Sequence, residues 1–140
     1  MRNKVDACIV KTQESNIKFE ENQKKIIFRN PSRLVFLKVD VDGCTITGKD
    51  IRCDKLLLSS DEHQEYYVEL KGTDVKHAIS QIEETIKKLG EFDDCRCAYI
   101  ISTNVAPAFT TYIQMKAKFF KDKFKASLVV REKQLTVALY

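Results

Sequence analysis

The segment Glu65-Tyr66-Tyr67-Val68-Glu69-Leu70-Lys71 holds the residues best suited to chemistry in this chain. A strand period of two puts Tyr67, Glu69 and Lys71 on one face and Tyr66, Val68 and Leu70 on the other. A carboxylate and an ammonium then project side by side from a strand whose opposite face is apolar. About fifteen residues upstream, Asp54 stands ahead of the hydrophobic run Leu56-Leu57-Leu58, with a polar turn over Ser59–Gln64 between the two segments. Strands joined by such a turn usually pair, and pairing brings Asp54 toward Glu69. Two carboxylates converging with the backbone carbonyl of Leu70 form an oxygen-only donor set, which suits magnesium or manganese. Lys71 beside such an ion would orient or deprotonate a water, or stabilise charge developing on a phosphate.

The bare Glu-x-Lys triplet carries no information, since a chain with this many Glu and Lys residues contains about 1.3 by chance. Its setting carries the argument: an upstream Asp on its own strand, a turn, and an amphipathic helix starting a few residues after the Lys. The plainer alternative is a solvated strand face with an ordinary Glu–Lys pair.

The elements that must position these groups follow from periodicity. Residues 34–41 alternate as a strand, Asp42-Gly43 is a hairpin signal, and further strands are expected at 44–47, 52–59 and 65–71. The period then changes. Val75, Ala78, Ile79, Ile82, Ile86 and Leu89 recur every three or four residues, predicting a helix that Gly90 stops. Asp74 falls in its first turn and Lys87-Lys88 in its last, each favourable to the helix dipole. Residues 96–102 form an apolar run expected to be buried on both faces. Thr110 or Thr111 would cap a second helix reaching about Phe124, and 126–139 read as one or two strands. Near the N-terminus, Val5, Cys8 and Ile9 suggest a helical turn, followed by short strands at 17–19 and 26–28. The expected fold class is α/β or α+β, with a mixed central sheet flanked by helices.

Asp54, the turn, Glu69-Leu70-Lys71 and the helix that follows resemble the PD-(D/E)XK nuclease superfamily, over roughly residues 34–102. The resemblance implies a restriction-endonuclease-like core of helix, three strands, helix and strand. It also implies that Asp54 and Glu69 bind a divalent metal and that Lys71 serves the attacking water. Many members place a Gln on the helix after the triplet, and Gln81 occupies that region, on the border of the apolar face. Many also contribute a Glu from an N-terminal helix; Glu14, Glu20 and Glu21 are the candidates, and Glu20 is the choice. The chain departs from the pattern at Cys53, where some members have Pro. It departs again at Thr85, where some exonuclease-type members have Tyr.

Beyond this core, Lys116, Lys118, Lys121, Lys123 and Lys125 interleave with Phe119, Phe120 and Phe124. The pattern fits a helix that faces nucleic acid with its lysines and packs its aromatics inward. It equally fits an ordinary solvated amphipathic helix. Lys76 and His77 begin the helix next to the candidate site, where Lys76 could meet a phosphate, while His63 and His77 lack the spacing of a metal site.

The chain has 140 residues, enough for one domain spanning 1–140 and too few for a second recognition domain. Its net charge of +4 is a mild bias compatible with nucleic acid. Five cysteines, an odd number, argue against a complete disulfide framework and for reduced thiols. No apolar run approaches a membrane span and the N-terminus lacks a signal-peptide pattern, so a cytoplasmic protein is expected. No phosphate-binding glycine loop, serine-nucleophile motif or dinucleotide fingerprint is present. The resulting expectation is a Mg2+- or Mn2+-dependent nuclease acting on phosphodiester bonds, in DNA by preference. Specificity would come from a homodimer or from a partner protein. The competing expectations are a catalytically inactive nuclease-fold module that binds nucleic acid or a protein, and a structural subunit of a larger complex.

Overall fold

The computed structural model describes residues 8–41, 54–61, 63–70, 74–91 and 95–139. The expected strand at 44–47, the Asp42-Gly43 turn and Lys71 lie outside the described residues. The strands are β1 (Ile9–Thr12), β2 (Asn16–Glu21), β3 (Lys24–Arg29), β4 (Phe36–Asp40), β5 (Lys55–Ser59), β6 (Gln64–Glu69), β7 (Cys95–Ser102), β8 (Ala126–Glu132) and β9 (Gln134–Ala138). The helices are α1 (Val75–Leu89) and α2 (Thr110–Phe124), the latter entered through a 3-10 turn at Pro107–Phe109. The fold is mixed α+β.

Six strands form one sheet in the order β1-β4-β5-β6-β7-β8. Pairing is antiparallel from β1 to β6 and parallel from β6 through β8. Parallel neighbours need a crossover, and α1 and α2 supply the two required here. The strands β2, β3 and β9 make a second sheet.

The three layers follow from side-chain parity. Leu56, Leu58, Tyr67, Ala98 and Ile100 pack with Val75, Ile79, Ile82, Ile86, Phe120 and Phe124, so both helices cover one face of the large sheet. Leu57, Tyr66, Val68, Tyr99 and Ile101 pack with Ile17, Phe19, Ile26, Phe28 and Leu139, so the small sheet covers the other face. The expected burial of both faces of the strand at 96–102 holds over Ala98–Ser102, while Cys95, Arg96 and Cys97 are half-buried.

Local signals set the element ends. Asn22 and Gln23 both have positive φ, 49° and 65°, which the two-residue β2–β3 turn requires to match the strand twist. Asp74 caps α1, its Oδ1 accepting the His77 N–H at 3.0 Å. At the other end Gly90 donates its N–H to the Ile86 carbonyl at 2.8 Å. A Cβ there would stand 2.6 Å from that carbonyl oxygen and 2.9 Å from Arg96 Nη2, so the residue must be glycine for space.

Three expectations are corrected. Thr110 is the first residue of α2 rather than its cap; Phe109 precedes it without a side-chain bond, because the 3-10 turn that starts at Pro107 feeds directly into the helix. Thr85, absent from the predicted apolar stripe, is fully buried, and its hydroxyl donates to the Gln81 carbonyl one turn earlier at 2.7 Å. Cys8 is buried and disulfide-bonded, whereas Cys95 and Cys97 carry free thiols as expected.

Under the small sheet, Tyr66 and Tyr99 stack at 6.4 Å with Phe28 against both rings, and Cys95 Sγ lies 3.9 Å from the Tyr66 hydroxyl. Burial holds both tyrosine hydroxyls above the ordinary phenol range and pushes the Cys97 thiol up to about 11. Thiols and phenols of the unfolded chain lose their protons near pH 8.5 and 10. Above those values the unfolded state binds fewer protons than the folded one, so stability falls as pH rises. The melting temperature is expected to be level up to about pH 8.5 and to drop between about pH 9 and 11, less steeply in Tyr66→Phe. A melting curve series giving the same slope for the wild type and Tyr66→Phe would contradict this.

Candidate active site

The register of the β5–β6 pair decides how the two carboxylates meet. Lys55 stands opposite Val68, so the next step along the ladder sets Asp54 against Glu69. Both side chains point to the helix-covered face, sharing the parity of Leu56 and Tyr67. Asp54 is 4% exposed and Glu69 1%.

Their bonds are reciprocal. The Asp54 backbone N–H donates to Glu69 Oε1 at 3.1 Å, and the Leu70 backbone N–H donates to Asp54 Oδ2 at 3.0 Å. Each carboxylate thus takes over an acceptor role at the end of the β5–β6 ladder. One oxygen of each is oriented by a backbone donor, an arrangement with no side-chain entropy cost on the donor side. The Asp54 carbonyl accepts Val41 N–H at 3.1 Å, tying the same point to the chain beyond β4.

A third carboxylate lies on the same face of β6. Glu65, 1% exposed, was not among the residues singled out from the sequence, although the period of two that selects Tyr67 and Glu69 selects it as well. Its Oε1 accepts Arg96 Nε at 2.8 Å and the Tyr67 hydroxyl at 3.0 Å, and its Oε2 accepts Glu91 N–H at 2.9 Å. Arg96 in turn donates through Nη1 to the Phe124 carbonyl at 2.8 Å. This pair joins β6, β7 and the C-terminal ends of both helices, and its role is anchoring. Removing the guanidinium leaves a buried carboxylate without its counter-charge. Arg96→Met is expected to lower unfolding free energy by about 3–5 kcal/mol in urea titrations; a change below about 1 kcal/mol would contradict the anchoring role.

The end of the sheet that holds Asp54 and Glu69 also holds the N-terminal ends of both helices, because β6 and β7 run parallel and each is followed by a helix. Contacts bear this out: Lys76 Nζ, in the first turn of α1, sits 4.8 Å over the Tyr112 ring and 5.8 Å over Phe109. Ligands of open sheets with parallel strands gather at this end. Gln81 lies half-buried on the second turn of α1.

Other predicted residues fall elsewhere. Glu20 lies on the outward face of β2 and pairs with Lys18 at 3.3 Å; it lines a groove with Lys38, Asp40 and Lys55 on the small-sheet side. The large sheet separates it from Asp54 and Glu69, whose side chains face α1, so it does not join them. Glu14 is exposed and bonded to the Thr12 hydroxyl. Among the described residues three strands, not a helix, precede β4.

The lysines of α2 divide. Lys116 pairs with Glu83 of α1 at 3.2 Å and stands 4.9 Å over Phe119, linking the helices. Lys118, Lys121 and Lys123 are exposed. Lys121 and Lys123 belong to the last turn, whose Phe124 carbonyl binds Arg96 at the Glu65 end of β6. Four strand residues, about 13 Å, separate that end from Glu69. Phe120 and Phe124 pack inward as expected, but Phe119 is 38% exposed.

The donor chemistry of Asp54 and Glu69, two carboxylates, fits a hard divalent cation. Among the described residues no cluster of three or more His, Cys, Asp or Glu forms. Scans of the chain against protein-family models, curated proteins and solved structures find no match.

Proposed function

We propose that the chain is a metal-dependent nuclease of the PD-(D/E)XK type, with a restriction-endonuclease-like core built on β4, β5, β6, α1 and β7. The observation that carries the reading is the reciprocal pair of Asp54 and Glu69, two adjacent carboxylates more than nine-tenths buried at the end of the sheet where both helices begin. Burying two negative charges side by side is costly unless cationic charge joins them. A divalent ion would supply such charge, and Lys71 follows Glu69 by two residues in the sequence. The order of three strands, helix and strand, with Asp at the start of the second strand and Glu at the end of the third, supports the same reading.

Within this reading each residue has a task. Asp54 and Glu69 present carboxylate oxygens whose planes are fixed by the Leu70 and Asp54 N–H groups. The Leu70 carbonyl completes the protein's share of the donor set. Bound Mg2+ or Mn2+ would supply Lewis-acid activation of water and neutralise charge on the phosphate. Lys71 orients that water and stabilises the charge that develops during attack. Gln81 helps position it, and Lys76 meets a flanking phosphate. The substrate is nucleic acid, DNA by preference, and a homodimer would bring two sites to a duplex.

A second reading rests on the same hydrogen bonds. Carboxylates that cap a strand ladder can be purely structural, which fits a catalytically idle module that binds nucleic acid or a protein partner. Purified protein with Mg2+ or Mn2+ and plasmid, linear duplex, single-stranded DNA and RNA separates the two. Cleavage of at least one substrate is expected, reduced at least about 100-fold in Asp54→Ala and Lys71→Ala. Cleavage that survives both substitutions would sink the nuclease assignment, and absence of cleavage with retained nucleic-acid binding would favour the idle module.

A further inference from the structure

The outward face of the small sheet carries a second site candidate, on the opposite side of the molecule's central sheet from Asp54 and Glu69. Register fixes its layout. Asn16 of β2 lies opposite Arg29 of β3, which lies beside Ala138 of β9; one step along, Lys18, Ile27 and Thr136 make the next row. The short side chain of Ala138 beside Arg29 leaves a hollow. Two cavities of about 470 and 390 Å3 meet there and share Asn16 and Arg29 as walls.

Three observations define the chemistry. First, the Arg29 side chain is exposed and makes no hydrogen bond or ion pair among the described residues. Second, the polar groups around it are Lys18, Asn16, Thr136 and Ser15, and no described residue of either cavity wall is an Asp or Glu. Third, the one carboxylate on the outward face of β2 between Asn16 and Glu20, that of Glu20 itself, is taken up by Lys18 at 3.3 Å. A guanidinium fork left open between an amide and a hydroxyl matches the two oxygens of a phosphate group, which an ammonium alone cannot grip in the same bidentate manner.

We propose that this hollow is a phosphate-binding site, with Arg29 as the bidentate anchor and Asn16 and Thr136 as hydrogen-bonding walls. The phosphate comes either from a small phosphorylated molecule or from the backbone of a nucleic-acid strand. The site does not depend on the nuclease reading.

Titration of the full chain with inorganic phosphate, and separately with an octathymidylate lacking terminal phosphates, tests it by heteronuclear NMR at fixed ionic strength. The Arg29 side-chain and Asn16 amide signals are expected to shift saturably with at least one of the two probes. Response to inorganic phosphate alone identifies the small-molecule source, and response to the oligonucleotide alone identifies the strand. Arg29→Gln is expected to weaken the responding probe at least about tenfold, and Arg29→Lys is expected to recover only part of that loss. The position is exposed, so both variants should keep the wild-type melting temperature. Shifts that persist unchanged in Arg29→Gln, full recovery by Arg29→Lys, or no saturable shift with either probe would overturn the proposal.

Discussion

The large sheet is apolar on both faces, and everything else in the molecule answers to that. β5, β6 and β7 bury alternate side chains in opposite directions, so neither face can meet water. The helices close one side because parallel pairing of β6, β7 and β8 demands crossovers there. The other side needs a cover of its own, and the chain ends provide it. β2, β3 and β9, drawn from the first thirty residues and the last seven, supply Ile17, Phe19, Ile26, Phe28 and Leu139 to the second core. These two segments are therefore part of the second core.

Charge buried inside such a sheet must be matched on the spot. Glu65 and Glu69 of β6 and Asp54 at the start of β5 put three buried carboxylates on one face of the sheet, held in two ways. Glu65 is matched by a guanidinium, a phenol and a backbone amide, a closed arrangement that ties four elements together. Asp54 and Glu69 accept backbone N–H groups from each other's strands, which orients them at the end of the sheet where both helices begin.

Much of this was legible in the sequence because it rests on local period. The helix at Val75–Leu89, the strand at 96–102 and the pair of terminal strands follow from repeats of 3.6 and 2 and from Gly90. The approach of Asp54 to Glu69 follows from one turn joining two strands. What escaped depends on contacts distant in the chain. Glu65 finds Arg96 thirty-one residues away, which no spacing rule reveals. Thr85 is polar in an apolar stripe because its hydroxyl turns back onto its own helix. Glu20 looked usable while the segment's layer was unknown; once β2 joins the small sheet, its side chain points away from the site. Lys121 and Lys123 lie at the Glu65 end of β6, because a helix pattern does not say which end of the sheet its last turn reaches.

The central proposal is a cation site at Asp54 and Glu69. Calorimetric titration of the full chain with Mn2+ tests that directly, with Glu69→Gln and Asp54→Asn beside the wild type. Binding of one or two ions per chain is expected, with affinity lowered at least about tenfold in each variant. Mn2+ binding of equal affinity in all three proteins, or none in the wild type, would contradict it.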